Sequence, residues 1–232
     1  MTAIVWQYIP EGFIIGADGR RRESGSGLIE TESAQKIYSV KIGDVRLAYA
    51  WSGTTIFHRT DEVICDLKHV TDCILQSINP ARVTAFSDFL HLFNDGLHVL
   101  LLAYIGGAVR TFEKPEIARL LLIGYFKDEP HAAHIIVRHD GNTVLKPEIK
   151  CSFAPVRFDV FSGSKRVYEE LIHKIVREPS SLREASELVQ DYISACMKYQ
   201  DVDADCANIG GRIHIGQLTP ERFSWLRPPV PD

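Results

Sequence analysis

Three residues near the start of the chain, Thr2, Asp18 and Lys36, are of the types that together could activate a hydroxyl for attack on a carbonyl. A threonine hydroxyl is a weak nucleophile at neutral pH and needs a base. The α-amine of the same residue can serve, since its ordinary pKa is about 8. A nearby ammonium disfavours protonation of that amine and stabilises negative charge developing on the hydroxyl oxygen. A lysine buried for that purpose needs a counter-charge, and Asp18 is the candidate. Taken one at a time, the three have plainer readings: a frayed terminus, a turn residue and a solvated strand residue.

The elements around them decide whether the three can meet. Ala3 to Tyr8 and Phe13 to Ala17 are strand-like apolar runs joined by a turn at Ile9, Pro10, Glu11 and Gly12. A hairpin centred on Pro10 and Glu11 sets Asp18 opposite Ala3, beside the chain start, because the turn fixes the register. A third extended piece, Ala34 to Val40, carries Lys36, which joins them if its strand lies alongside. Removal of Met1, expected before so small a residue, would leave a free Thr2 amine.

Gly12-Phe13-Ile14-Ile15-Gly16-Ala17-Asp18-Gly19-Arg20 resembles the second strand of proteasome β-type subunits, apolar residues followed by Ala-Asp-x-Arg. Asp18 lies sixteen residues after Thr2, the family's spacing. Gln35-Lys36-Ile37-Tyr38 resembles its lysine strand. Ala50-Trp51-Ser52-Gly53-Thr54 resembles the strand end and glycine turn that supply a backbone oxyanion donor. Val160-Phe161-Ser162-Gly163-Ser164 resembles its Gly-Ser-Gly turn, and Ile209-Gly210-Gly211 its Ser-Gly-Gly turn. The matches run in order over nearly the whole chain. The sequence departs from the pattern where Cys206 replaces the usual aspartate, with Asp205 one residue away, and where Ile209 replaces the serine.

The resemblance implies an α+β fold of the four-layer αββα sandwich type found in N-terminal-nucleophile hydrolases. It implies Thr2 as nucleophile, Lys36 for the electrostatics, Asp18 to hold Lys36, and Ser162 to support the amine. Backbone N–H groups at Ser52 or Gly53 would receive the oxyanion, with Arg20 and Asp205 as accessory residues. The implied activity is peptide-bond hydrolysis on peptides or unfolded proteins within a homo-oligomeric ring, with a separate unfoldase ATPase as a possible partner. The Met-Thr start resembles the bacterial proteasome relatives. The alternatives are a non-catalytic ring subunit of the same fold and an amidase acting on a small metabolite.

Composition narrows the classes further. A chain of 232 residues suits one domain, over residues 1–232, with a substantial core. A net charge of −4 gives no electrostatic argument for nucleic acid or an anionic membrane. The longest apolar stretch, Leu97 to Val109, is too short and glycine-rich to span a bilayer. The five cysteines are odd in number and lack a Cys-x-x-Cys pair, so they read as free intracellular thiols, and a cytoplasmic location is expected. His131 and His134 are three apart, which in a strand puts them on opposite faces; neither a metal nor a cofactor is expected. There is no Gly-rich loop followed by Lys-Ser or Lys-Thr, hence no Walker-type nucleotide site.

Along the rest of the chain, Val63, Ile64, Leu67, Val70, Ile74, Leu75 and Ile78 predict a helix starting near Asp61. Asn79-Pro80 predicts the start of a second helix. Strands follow over Ala118 to Phe126, Ala132 to His139, Thr143 to Ile149 and Val156 to Phe161. A helix from Ser164 and another capped by Ser181 and Glu184 precede two closing strands, Gly211 to Leu218 and Glu221 to Leu226.

Overall fold

The computed structural model describes residues 2–22, 27–59, 62–106, 112, 114–152, 158–173 and 178–229. Met1, Asp61 and Val156, on which parts of the sequence reading fall, lie outside them. In chain order the elements begin with β1 (Ile4–Ile9), β2 (Gly12–Asp18), β3 (Arg21–Arg22), β4 (Ile29–Thr31), β5 (Ile37–Ile42) and β6 (Val45–Gly53). Next come β7 (Ile56–Arg59), β8 (Glu62–Asp66), α1 (Leu67–Ser77), a 3-10 turn (Pro80–Arg82) and α2 (Phe86–Ile105). They are followed by β9 (Glu116–Phe126), β10 (Glu129–Arg138), β11 (Glu148–Ser152), β12 (Phe158–Ser162) and α3 (Lys165–Ile172). The chain closes with α4 (Leu182–Lys198), β13 (Ile213–Leu218) and β14 (Phe223–Arg227).

These elements fall into two compact units, residues 1–39 with 154–232, and residues 40–153. The first unit holds a five-stranded antiparallel sheet in the order β12-β1-β2-β13-β14. Its β1–β2 register pairs Ile9 with Gly12 and Ile4 with Ala17, as the two-residue turn dictates. The Asp18 N–H then donates to the Ala3 carbonyl at 3.2 Å. α4 packs on β1, β2 and β13. Its buried residues Val189, Tyr192, Ile193 and Cys196 meet Ala3, Val5, Ile14 and Ile215 in one apolar cluster. Gly16 makes that approach possible, because a Cβ there would collide with Cγ1 of Val189 and lie 3.0 Å from Cδ1 of Ile193.

The second unit holds another five-stranded sheet, in the order β11-β10-β9-β6-β5. α1 lies on it through two polar contacts: Trp51 Nε1–H donates to Thr71 Oγ1 at 3.0 Å, and the Tyr49 hydroxyl to Asp72 Oδ1 at 2.9 Å. Two-stranded ribbons β3–β4 and β7–β8 complete the strands of the two units.

The four-layer αββα sandwich is corrected by this arrangement. The described residues form a sheet-rich α+β chain of several antiparallel sheets and four α-helices, divided between two units. The order of strands and helices along a sequence counts elements, but how they layer depends on which faces meet, and periodicity does not record that. Two element boundaries also differ. The helix expected from Asp61 begins at Leu67, since Val63, Ile64 and Cys65 enter the β7–β8 ribbon and Asp66 caps α1 by accepting from Lys68 N–H at 2.8 Å. Asn79-Pro80 starts the short 3-10 turn, and the long helix waits until Phe86, where Asp88 accepts from the Thr84 and Ala85 N–H groups. Among the described residues no helix is long and apolar enough to cross a membrane.

Gly16→Ala should lower stability by about 1–3 kcal/mol, through overpacking against α4. Chemical denaturation of Gly16→Ala and of Gly16→Ala/Val189→Ala checks this. The double variant should be more stable than the sum of the two single losses predicts, because Val189→Ala vacates the colliding volume.

Candidate functional site

The hairpin and the segment before β5 bring Thr2, Asp18 and Lys36 together in the first unit. Asp18 ends β2 and is fully buried. Its Oδ1 accepts from Lys36 Nζ at 2.8 Å and from Ala3 N–H at 2.9 Å. Its Oδ2 accepts from Gly210 N–H at 3.1 Å and Arg20 N–H at 3.3 Å. A buried carboxylate is costly unless it is paired and hydrogen-bonded, and here one cation and three backbone donors meet that need.

Lys36 Nζ also donates to Thr2 Oγ1 at 3.2 Å, so one ammonium spans the hydroxyl and the carboxylate. The lysine side chain is 11% exposed. Burial lowers its pKa below the ordinary value, against the pull of Asp18; the positive charges of Arg21 and Arg20 lower it further. The ammonium is therefore held by Asp18 against the desolvation that would strip its proton. An ammonium on the threonine oxygen stabilises an alkoxide forming there.

A second layer of contacts holds the carboxylate's surroundings. The Arg20 guanidinium pairs with Glu32, Nη2 to Oε1 at 3.0 Å, and its Nη1 donates to Gln200 Oε1 at 3.2 Å. The Arg20 N–H also donates to the Gly210 carbonyl at 2.9 Å, and Arg212 N–H to the Glu32 carbonyl at 2.7 Å. These bonds fix the 210–212 turn, which presents the Gly210 N–H to Asp18. Arg20 thus acts on the site through this turn.

The other residues expected from sequence fall as follows. Ser162 ends β12 and pairs across the ladder with Ile4, two residues along the chain from Thr2. Ser52 and Gly53 end β6 in the second unit, where they pair with Arg119 and Ala118. Asp205 is exposed, and its backbone N–H donates to Asp203 Oδ1 at 2.9 Å. The carboxylate near the turn after β12 is Asp203, which accepts from the Ser164 hydroxyl. That bond lowers the Asp203 pKa, with help from the Asp205 N–H. Ser164 also caps α3 by accepting from Val167 N–H at 3.1 Å, and its carbonyl accepts from the Tyr192 hydroxyl at 3.1 Å. Cys206 and Ile209 are both fully buried in the apolar cluster beneath α4. Burial, and the nearby Cys196 and Asp203, push the Cys206 thiol up to about 12.

The sequence shows Ser164 only as a helix start and does not single out Asp203 or His214. Ser164 carries an N-cap signal in Ser-Gly-Ser before a helix, and Asp203 lies in a polar Asp-rich turn. His214, between Ile213 and Ile215 in β13, carries no local signal. Its burial lowers its pKa, as do the charges of Lys36 and Arg212, while Asp18 acts the other way. Among the described residues no cluster of three His, Cys, Asp or Glu side chains could hold a metal ion.

No family model matches the sequence, and no curated protein matches it. Solved structures do resemble the fold. An Anbu (Gly-1) mutant from Hyphomicrobium sp. strain MC1 aligns over 100% of this chain and 89% of its own, with a TM-score of 0.65 and 12% identity. Anbu (ancestral beta-subunit) from Yersinia bercovieri aligns over 97% of this chain and 87% of its own, with a TM-score of 0.64 and 12% identity. The fold is thus similar to that of an ancestral beta-subunit. Membership of the proteasome β-type threonine hydrolases, implied by the motif resemblance, is corrected: an identity of 12% carries the likeness of fold alone.

Lys36→Ala should cost on the order of 3 kcal/mol, because it leaves the Asp18 charge buried without its cation. Lys36→Met with Asp18→Asn should recover most of that loss, since both charges go and much of the volume stays. Denaturant midpoints of the two variants and the parent check the order.

Proposed function

We propose that the chain is an N-terminal-nucleophile amide hydrolase whose nucleophile is Thr2, acting on peptide bonds. The observation that carries this reading is the single ammonium of Lys36 set on both Thr2 Oγ1 and Asp18 Oδ1. In the step, Thr2 Oγ1 passes its proton to the residue's own amine and bonds to the scissile carbonyl carbon. The carbonyl π electrons move to oxygen. When the tetrahedral intermediate collapses, the C–N bond breaks and the leaving nitrogen takes the proton from the Thr2 amine. Water then hydrolyses the resulting ester and returns the proton to Oγ1. Only a free Thr2 amine can shuttle these protons, so the active molecules must have lost Met1.

The Lys36 ammonium supports both halves of the step. Its charge favours a neutral, basic amine and stabilises the oxygen as it bonds to carbon. By analogy with loss of one oxyanion donor, removing it slows turnover roughly a hundredfold or more. A second reading, a non-catalytic subunit of the same fold, is favoured by Cys206 and Ile209, which lie in the apolar cluster at the positions where the resembled pattern carries an aspartate and a serine.

Intact-mass measurement after incubation with a threonine-directed β-lactone decides between the two. One adduct on Thr2, on molecules lacking Met1, is the expected result, with none on Thr2→Ala. Retention of Met1 on molecules that hydrolyse peptide would overturn the mechanism, and no adduct on molecules lacking Met1 would favour the scaffold.

A hydrolase with an unguarded site needs its substrates restricted, so we further propose that the chain self-assembles into a ring, served by a separate unfoldase. Sedimentation at micromolar concentration should show a species well above the 26.1 kDa monomer. A peptide-active monomer would overturn this.

A further inference from the structure

Three stretches of chain meet beside Asp18: residues 18–20 at the end of β2, 32–36 before β5, and 210–212 before β13. Backbone bonds stitch them in pairs. The Arg20 N–H donates to the Gly210 carbonyl at 2.9 Å, the Ala34 N–H to the Gly19 carbonyl at 2.7 Å, and the Arg212 N–H to the Glu32 carbonyl at 2.7 Å. Glycines stand where the stretches touch. A Cβ on Gly19 would lie 2.5 Å from the Glu32 carbonyl oxygen and 2.7 Å from that of Arg212. Gly211, at a φ of +76°, would bring a Cβ against the Glu32 carbonyl oxygen and 2.7 Å from Glu32 Oε2.

Glu32 enters this junction twice. Its carbonyl takes the Arg212 N–H, and its carboxylate takes the Arg20 guanidinium side-on, Nε to Oε2 at 3.0 Å and Nη2 to Oε1 at 3.0 Å. Arg20 Nη1 is held by Gln200. So oriented, the guanidinium lies over Gly210, where a Cβ would collide with its Cζ. The Glu32 side chain is 41% exposed. An ion pair that open adds little to stability. A planar two-point contact does fix orientation.

We propose that Glu32 is a positioning residue for the Lys36–Asp18 pair: by seating the Arg20 guanidinium on Gly210, it keeps the Gly210 N–H on Asp18 Oδ2 and so leaves Oδ1 turned to Lys36. Its functional consequence rests on the Thr2 reading; its geometric part stands without that reading. Asp18 Oδ2 is pinned by the Gly210 and Arg20 N–H groups at 3.1 and 3.3 Å. A carboxylate pinned at one oxygen cannot turn about its bond. Oδ1 therefore stays 2.8 Å from Lys36 Nζ, which lies 3.2 Å from Thr2 Oγ1. Loosening the 210–212 turn frees Oδ2, and the ammonium follows Oδ1 off the threonine oxygen. Glu32 also precedes Lys36 by four residues, so its bond to Arg212 fixes the start of the lysine's approach.

The test compares the parent with Glu32→Gln and with Glu187→Gln, which removes an exposed pair with Arg183 on α4. Both variants should melt close to the parent, as loss of an exposed pair predicts. Hydrogen exchange on the peptide spanning residues 207–212, read by mass spectrometry, reports the Gly210 and Arg212 amides. Exchange there should quicken roughly tenfold or more in Glu32→Gln and keep the parent rate in Glu187→Gln. At saturating β-lactone, acylation of Thr2 should slow roughly tenfold or more in Glu32→Gln. The half-saturating concentration should stay unchanged, because Glu32 orients the ammonium rather than the substrate. Unchanged exchange in Glu32→Gln would overturn the proposal. Quickened exchange with undiminished acylation would also overturn it, leaving Glu32 a tether of the turn alone. If the parent itself forms no adduct, the Thr2 reading fails by itself, and the exchange rates still decide whether Glu32 holds the Gly210 N–H on Asp18.

Discussion

The ion pair between Lys36 and Asp18 is the constraint on which the first unit depends. A carboxylate with no exposure must find its compensation inside the protein, and every donor that supplies it comes from a different stretch of chain. Ala3 comes from just before β1, Arg20 from the turn after β2, Lys36 from the approach to β5, and Gly210 from the turn before β13. The Asp18 charge therefore joins segments almost two hundred residues apart in sequence. The same pair keeps an ammonium on Thr2 Oγ1 although burial lowers the pKa of Lys36.

Around that pair the supporting contacts divide by type. On one side they are polar: Arg20 with Glu32 and Gln200, and the backbone bonds that hold the 210–212 turn. Beneath the sheet they are apolar, with α4 seated against β1, β2 and β13 and brought close at Gly16. Cys206 and Ile209 belong to this apolar side. The polar support beside β12 comes instead from Ser164 and Asp203, one of which also starts a helix. The likeness to Anbu, at 12% identity, is one of fold alone.

Much of the first hairpin was legible in the sequence. Pro10-Glu11 admits one register, and that register brings Asp18 to Ala3 whatever else the chain does. The spacing of Lys36 made a meeting possible without showing the course of residues 19–35. Helix starts were legible where a cap is local, as at Ser164 and Ser181, and illegible where strand and helix periodicities compete. Val63 and Ile64 suit a helical stripe as well as a ribbon, and only pairing of β8 with β7 separates the two.

The chain by itself determined the hairpin, the residue types that meet at its open end, and the absence of a nucleotide loop motif. Each of these is a property of neighbours in sequence, or of a turn whose geometry transmits register. Tertiary structure alone decided that the carboxylate beside Ser164 is Asp203 rather than Asp205 or a residue at position 206. It alone decided that the helices and sheets divide into two units rather than a four-layer sandwich, and that a histidine between two isoleucines lies fully buried. The physical reason is common to all three. Burial and electrostatic fields are set by segments that pack together from far along the chain, and a residue's own sequence neighbourhood carries no record of them.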